Sequence, residues 1–213
     1  MRRLFVVSLA TALLLSGCSA PSQKYPGSKS EGVFFTVPND WREISTRELK
    51  NFERKSGDSD VLDRLALVRY EVAYTKGKDF TAKDVFSLSP TEQPIAFLRV
   101  RDLNVDEING VSYNSLRSIL VPLHRMVTNP EPTDPAFDIL DDYEVADKGA
   151  RGVRTIYKIT IDGKEQIIDQ TAMTSNDRRI LYVFVIRCET KCYQKDEKLF
   201  TKISDTFSVK GPR

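Results

Sequence analysis

The chain has few of the side chains that supply chemistry: its 213 residues include one His, one Trp and three Cys. A catalytic or metal site built on several His is therefore excluded. The chain also has no G-x-G-x-x-G, no P-loop and no G-x-S-x-G motif. A dinucleotide site, an NTP site and an ordinary α/β-hydrolase site thus have no support in the sequence.

Neither sign of charge is in clear excess. The chain has 32 Lys and Arg against 30 Asp and Glu, a formal net charge of +2. Nucleic-acid binding is not expected, because its affinity comes mainly from basic groups that neutralise phosphates. A hydrophobic content of 40%, with 11 Phe and 8 Tyr, is enough for a packed core.

The N-terminus has the pattern of an export signal. Arg2 and Arg3 precede an apolar run at residues 4–15, which is too short for a spanning helix of about 20 apolar residues. The sequence Leu15-Ser16-Gly17-Cys18 matches the bacterial lipobox, in which small residues precede a lipidated cysteine. We predict a lipoprotein signal peptide at residues 1–17 and lipidation of Cys18. An ordinary secretory signal, with Cys18 present by chance, is the alternative.

Lipidation of Cys18 would join a diacylglycerol to its sulfur and an acyl chain, such as palmitate, to its amino group. Two chains attach a protein stably to a membrane, whereas one chain binds reversibly. Residues 18–31 are rich in Ser, Pro, Gly and Lys, which predicts a flexible tether. We expect residues 32–213 to form a single globular domain, lipid-anchored at the outer face of the cell membrane.

Cys188 and Cys192 have the spacing C-x3-C. In an oxidising compartment such a pair tends to form a disulfide. A zinc site would need about four ligands, which one remaining His does not complete, and a redox motif normally has the spacing C-x-x-C. We predict a structural disulfide that joins a strand end to the start of the last helix, with free thiols or a catalytic pair as the alternatives.

Hydrophobic patterns from residue 32 onward predict strands mixed with helices. Strands are predicted at residues 32–37, 68–74, 94–101, 153–161, 165–173 and 206–209, and helices at 45–55, 113–121 and 194–204. Residues 56–63 have the composition of a loop. Residues 180–186, ILYVFVI, are apolar throughout, which predicts a central strand covered on both faces. The predicted fold is α+β: an antiparallel meander between helices, a three-layer α/β/α sandwich.

Several segments together resemble a known family. The segments GVFFTVPNDW, ITIDGKE, ILYVFVIRC and SDTFSV are similar in order and type to the PsbP-like α/β/α sandwich. Photosystem accessory proteins, a nuclear Ran-GTPase-binding protein and bacterial lipoproteins of the LpqN/LpqT type share this fold. PIAFLRVRDL and SYNSLRSILVPL resemble actinobacterial lipoproteins of this group. The family has no shared catalytic residues, so the resemblance implies a binding or assembly module.

The chain offers few candidates for catalysis or metal binding. His124 would need Ser118 and Asp134 beside it to act as a base, and we interpret it as a solvated residue. An acidic stretch lacks the calcium-loop pattern, so we interpret it as a solvated strand edge; its members are Asp134, Asp138, Asp141, Asp142, Glu144 and Asp147. We predict no catalytic residues, no metal site and no cofactor.

Trp41 has two interpretations. It follows Pro38-Asn39-Asp40, and a buried aromatic that seals one end of the sheet is the first. A ring that stacks on a ligand is the second.

These observations favour a non-enzymatic, lipid-anchored binding or assembly module of the cell envelope. Its partners would be the membrane itself and an envelope protein or a glycolipid. Two alternatives stay open. An envelope hydrolase would need two carboxylates about 5–9 Å apart. A small-molecule or lipid carrier would need a sizeable apolar pocket between sheet and helices.

Overall fold

A seven-stranded antiparallel sheet forms the centre of the structure, a computed structural model that describes residues 22–212. The predicted signal peptide and Cys18 lie outside the described residues. In chain order the strands are β1 (Gln23–Lys24), β2 (Gly27–Ser28), β3 (Val33–Phe34), β4 (Val37–Pro38), β5 (Arg42–Ile44), β6 (Val68–Thr75), β7 (Ile95–Asp102), β8 (Phe137–Asp147), β9 (Ala150–Ile161), β10 (Lys164–Ser175), β11 (Ile180–Glu189) and β12 (Ser208–Val209).

Seven helices occur in the described residues. They are α1 (Thr46–Arg54), α2 (Ser59–Ala66), α3 (Ala82–Phe86), α4 (Val105–Gly110), α5 (Tyr113–Arg117), α6 (Leu123–Thr128) and α7 (Thr190–Thr206). The capping box at Ser45 and Glu48 starts α1 as the sequence predicts, with each side chain bonded to the other's backbone N–H.

The strand order of the sheet is β5-β6-β7-β11-β10-β9-β8, with every neighbouring pair antiparallel. Strand β11, which contains ILYVFVI, occupies the fourth position and is buried at every residue except Glu189. The prediction of a central strand is therefore confirmed. Strands β8 to β11 form a meander, whereas the chain reaches β8 from β7 through α4, α5 and α6.

The two faces of the sheet have different cover. On the face that carries Tyr182, Phe184 and Ile186, helix α7 packs together with β3 and β12; we name it the α7 face. On the opposite face, one group of helices, α1 and α3, covers the sheet near β6. A second group, α5 and α6, covers it near β9 and β10. Helices on both faces confirm the predicted α+β sandwich.

The structure differs from the sequence prediction in two helical segments. Residues 56–63 were predicted as loop, yet α2 begins at Ser59 within them, because the side chain of Asp58 accepts hydrogen bonds from two backbone N–H groups of its first turn. The helix predicted at 113–121 ends at Arg117. Pro122 disfavours helical geometry at Val121, and α6 begins only at Leu123.

The N-terminal part of the described chain is also more ordered than we expected. Residues 22–31 belong to the segment predicted as a flexible tether, yet β1 pairs with β4 and β2 pairs with β3. Glu31 is buried and its Oε2 accepts a hydrogen bond from Arg69 at 2.6 Å. The strand predicted at 32–37 is divided between β3 and β4, which lie in different small sheets.

Candidate functional site

The two cysteines of the domain are joined. Cys188 and Cys192 form a disulfide with 5.9 Å between their Cα atoms. Cys188 ends the apolar part of β11 and Cys192 lies in the first turn of α7, so the bond connects the central strand to the helix that packs on it. Because both sulfurs are in the bond, neither is a free thiol.

The contacts of Trp41 and His124 are with the rest of the fold. Trp41 is 2% exposed and its ring packs against Phe200 of α7, with centroids 6.3 Å apart. It therefore seals the core of the α7 face, and the ligand-stacking role has no support. His124 is exposed in the first turn of α6, and its backbone N–H donates to Ser118 Oγ at 3.1 Å. Asp134 does not reach it, because Arg125 binds that carboxylate.

The acidic stretch lies along an edge of the sheet. Strand β8 has no partner on its outer side in the described chain, and its residues are mostly exposed. Neighbouring residues of a strand point to opposite faces, so Asp141 and Asp142 do not face one another. Asp142 binds Arg117 and Thr155 instead. Within residues 22–212 no group of three or more His, Cys, Asp and Glu is placed to bind a metal ion.

A cavity lies on the opposite face of the sheet, between the two groups of helices. Its volume is about 290 Å³. Its floor consists of four residue pairs of β7 and β11, Ile95–Arg187, Phe97–Val185, Arg99–Val183 and Arg101–Leu181. Apolar side chains form the walls, Val85, Phe86 and Leu88 on one side and Ile119 and Leu120 on the other. We name this cavity the trough.

The trough has two different ends. The floor from Ile95 to Arg101 is about 20 Å long at the usual rise of a strand. At one end, Arg187 is only 3% exposed and is covered by the segment after α3. At the other end, exposed Arg64 of α2 joins the lining. The N–H of Asp102, next to Arg101, donates to Leu67 just after α2, which places α2 at this end.

Four arginines and no acidic residue line the trough. Two of the four have carboxylate partners. Arg99 binds Glu53 and Glu71, each at 2.6 Å, and its guanidinium also stacks on Phe86 and Phe97. Arg101 forms a two-point contact with Glu107 at 2.6 and 2.8 Å. These two charges are neutralised by the protein itself.

Arg187 has no carboxylate within ion-pair distance among the described residues. Its Nη1 donates to the carbonyl of Ser89 and to Oε1 of Gln166, and its Nη2 donates to the carbonyls of Asp84 and Ser87. Burial lowers the pKa of the guanidinium to about 10, against the opposing charge of Asp84. Arg187 therefore stays charged at neutral pH in a buried place. Its hydrogen-bond partners are neutral, and the charge of Asp84 acts on it from beyond ion-pair distance.

Glu71 completes the polar groups beside the trough. Its side chain is fully buried, and its Oε2 accepts hydrogen bonds from Arg99 Nε at 2.9 Å and Nη2 at 2.6 Å. Its Oε1 has no partner in residues 22–212. Burial raises the pKa of Glu71, although Arg99 opposes the shift. The opposite face therefore contains both an uncompensated cation and a half-satisfied carboxylate.

The α7 face buries a different ion pair. Arg154 Nε and Nη2 bind the two oxygens of Asp169 at 2.9 and 2.8 Å. Tyr193 and Ser204, both on α7, also donate to Asp169 Oδ2 at 3.2 and 2.8 Å. Every oxygen of this carboxylate is thus bonded, and the contacts hold α7 to the sheet.

Sequence reasoning missed Arg187, although a signal was present. Arg187 directly follows seven apolar residues of β11 and points to the same face as Val185. A lone charged residue at a buried strand position needs a partner. The sequence does not say which segment supplies it.

Comparison with known proteins supports the fold. CyanoP, the cyanobacterial PsbP of Synechocystis, aligns over 91% of this chain and 95% of its own with 12% identity and a TM-score of 0.50. LpqN of Mycobacterium tuberculosis, described as involved in cell envelope biogenesis, aligns over 89% and 91% with 12% identity and a TM-score of 0.50. No family model and no curated protein matches the sequence. At this identity the likeness concerns the fold, which is PsbP-like as the sequence suggested.

Proposed function

We propose that the chain is an exported, lipid-anchored binding module at the outer face of the cell membrane, and that the trough is its ligand site. The observation that carries the proposal is the trough itself, a cavity with apolar walls over the central strands, where no helix of residues 22–212 covers the sheet. Its volume of about 290 Å³ is close to the lower limit for small-molecule sites, roughly 300 Å³.

The anchor part of the proposal rests on the sequence. The lipobox motif predicts lipid on Cys18, and two acyl chains would hold the domain at the membrane. Within residues 22–212 we find no helix with the length and apolar character needed to span a bilayer. The description of LpqN as an envelope protein agrees with this location.

The carrier alternative gains support from the same cavity, whereas the hydrolase alternative gains none from the acidic stretch. Most carboxylates of the acidic stretch lie on an exposed edge of the sheet, and Asp134 and Asp142 are bound to arginines. We therefore place the chain among proteins that hold a ligand. A partner protein that receives the ligand fits the same proposal.

The anchor is tested by mass spectrometry of the protein purified from its own membranes. We expect an N-terminal Cys18 with diacylglycerol and an N-acyl chain. Cys18→Ala should abolish the lipid and leave the precursor unprocessed, while Ser19→Ala, a matched change one residue later, should keep it. A mature N-terminus without lipid would refute the anchor.

The ligand site is tested by filling the trough. Val183→Trp places a large ring on the floor, and Val127→Trp makes the same change at an exposed position of α6. Native mass spectrometry of protein from its own cells should show a bound small molecule that Val183→Trp loses and Val127→Trp keeps. If circular dichroism shows that Val183→Trp is unfolded, Leu120→Trp fills the trough from its wall. A ligand retained by every folded, filled variant would contradict the assignment.

A further inference from the structure

The charges that line the trough limit the class of ligand that it can bind. Of the four arginines in its lining, Arg99 and Arg101 are neutralised by carboxylates of this chain. Arg64 and Arg187 have no carboxylate partner in the described residues. Arg64 is exposed, and water screens its charge. Arg187 is buried, so its charge is neither screened by water nor balanced by an ion pair.

A buried cation of this kind favours an anion beside it. Removing a charge from water costs several kcal/mol, and hydrogen bonds to neutral carbonyls recover only part of it. The four Nη hydrogens of Arg187 already have acceptors, whereas its fifth donor, the Nε–H, has none in residues 22–212. No acidic residue lines the trough, and Asp84 acts on Arg187 only from beyond ion-pair distance. An anion that enters the trough would therefore supply a close contact that this chain does not make.

The rest of the floor favours a ligand whose remaining part is apolar. Between the two ends lie Phe97, Val183 and Val185, and both walls are apolar. This surface is about 20 Å long. Its one polar side chain between the ends, Arg99, is already bound to Glu53 and Glu71. A single extended chain matches its shape.

We propose that the trough binds an amphiphile with one acidic headgroup, held at Arg187, and one apolar chain that lies along Phe97, Val185 and Val183. The inference deepens the proposed function, on which it rests, by naming the class of ligand. A carboxylate and a phosphate monoester share the required chemistry. A neutral amphiphile would leave Arg187 uncompensated, and a cationic one would be repelled.

The test uses the full protein, anchored in lipid nanodiscs, and equilibrium dialysis against empty nanodiscs. The probes have one chain length: octanoate, octyl phosphate, octanamide and octylamine. Octanoate should bind about tenfold or more tightly than its neutral isostere octanamide, and octylamine should not bind. The ratio between octyl phosphate and octanoate then shows which acid the site prefers.

The variant Arg187→Gln should weaken octanoate binding about tenfold and leave octanamide binding nearly unchanged. Arg47→Gln removes an exposed arginine outside the trough and should change neither. A loss of octanoate binding in Arg64→Gln, with none in Arg187→Gln, would place the headgroup at the other end and overturn the proposal. If Arg187→Gln does not fold, the octanoate-to-octanamide ratio of the wild-type protein decides.

Failure of this inference is distinguishable from failure of the proposed function. Equal binding of octanoate and octanamide, lost for both in Val183→Trp, would keep the ligand site and refute the acidic class. Binding of neither, together with a native ligand that Val183→Trp retains, would refute the site as well.

Discussion

The two faces of the sheet bury charge in opposite ways. On the α7 face, Asp169 and Arg154 match each other and α7 supplies the remaining donors. On the opposite face, Arg187 has only neutral partners, and Glu71 has one oxygen without a partner in the described chain. Native proteins satisfy nearly all buried polar groups, so exceptions call for an explanation. The buried ion pair of the α7 face is satisfied by residues of this chain, although the hydroxyl of Tyr182 on that face has no partner in residues 22–212. The unsatisfied groups of the opposite face differ in that they lie beside a cavity.

The largest expected loss of stability comes from removing the buried ion pair of the α7 face. Asp169→Asn removes the charge that balances buried Arg154 and should lower the free energy of unfolding by about 3–5 kcal/mol, measured by urea denaturation. Asp205→Asn is the matched control. Asp205 also binds Arg154, but its side chain is 62% exposed, so its loss should cost less than about 1 kcal/mol. Equal losses in both variants would contradict the comparison.

A smaller effect is expected from the covalent link on the same face. Replacing both Cys188 and Cys192 by Ala should lower the unfolding free energy by about 2 kcal/mol, because the bond closes a short loop in the unfolded chain. Reductant should destabilise the wild-type protein by a similar amount and leave the double variant unchanged. A reductant effect in the double variant would show that the bond is not its cause.

A substitution of Arg187 on the opposite face should lower the stability less than a substitution of Asp169. Arg187→Met loses four hydrogen bonds, to the carbonyls of Asp84, Ser87 and Ser89 and to Oε1 of Gln166. It also removes a buried charge that has no ion pair, so we expect a loss of about 1–2 kcal/mol, less than for Asp169→Asn. Urea denaturation under the conditions used for Asp169→Asn provides the comparison. A loss as large as that of Asp169→Asn would mean that Arg187 serves the fold rather than a ligand.

The smallest expected effect is a pH dependence at Glu71. Burial raises its pKa above the ordinary 4.5, against the influence of Arg99. The folded state then binds this proton more tightly, so the contribution to stability is present at low pH and is lost as the pH rises from 4.5 through the folded pKa. Unfolding free energies of Glu71→Gln, measured from pH 4 to 7, should lack this decrease.

Glu107→Gln is the matched control for the pH series. Hydrogen bonds from Arg101 lower the pKa of Glu107, so its contribution is present above pH 4.5 and is lost as the pH falls through the folded pKa. The two variants should therefore change the pH profile in opposite directions. Parallel changes would contradict the difference between the two carboxylates.

The sequence could predict the layers of this fold but not its cavity. Seven consecutive apolar residues in β11 indicate burial on both sides whatever the neighbours are, and the capping box of α1 is a local signal. The trough depends instead on two helical groups that stop short of each other, far apart in the chain. Residues 56–63 were assigned wrongly in part because the cap at Asp58 outweighs a polar composition.

The exposed edge strand β8 has a consequence for how neighbouring molecules behave. A strand of 11 residues with one free edge is a template to which a strand of another molecule can pair, yet this one bears five carboxylates. Two such edges brought side by side would meet as like charges. Neighbouring copies would thus repel along this long edge of the sheet, and raised salt should weaken that protection.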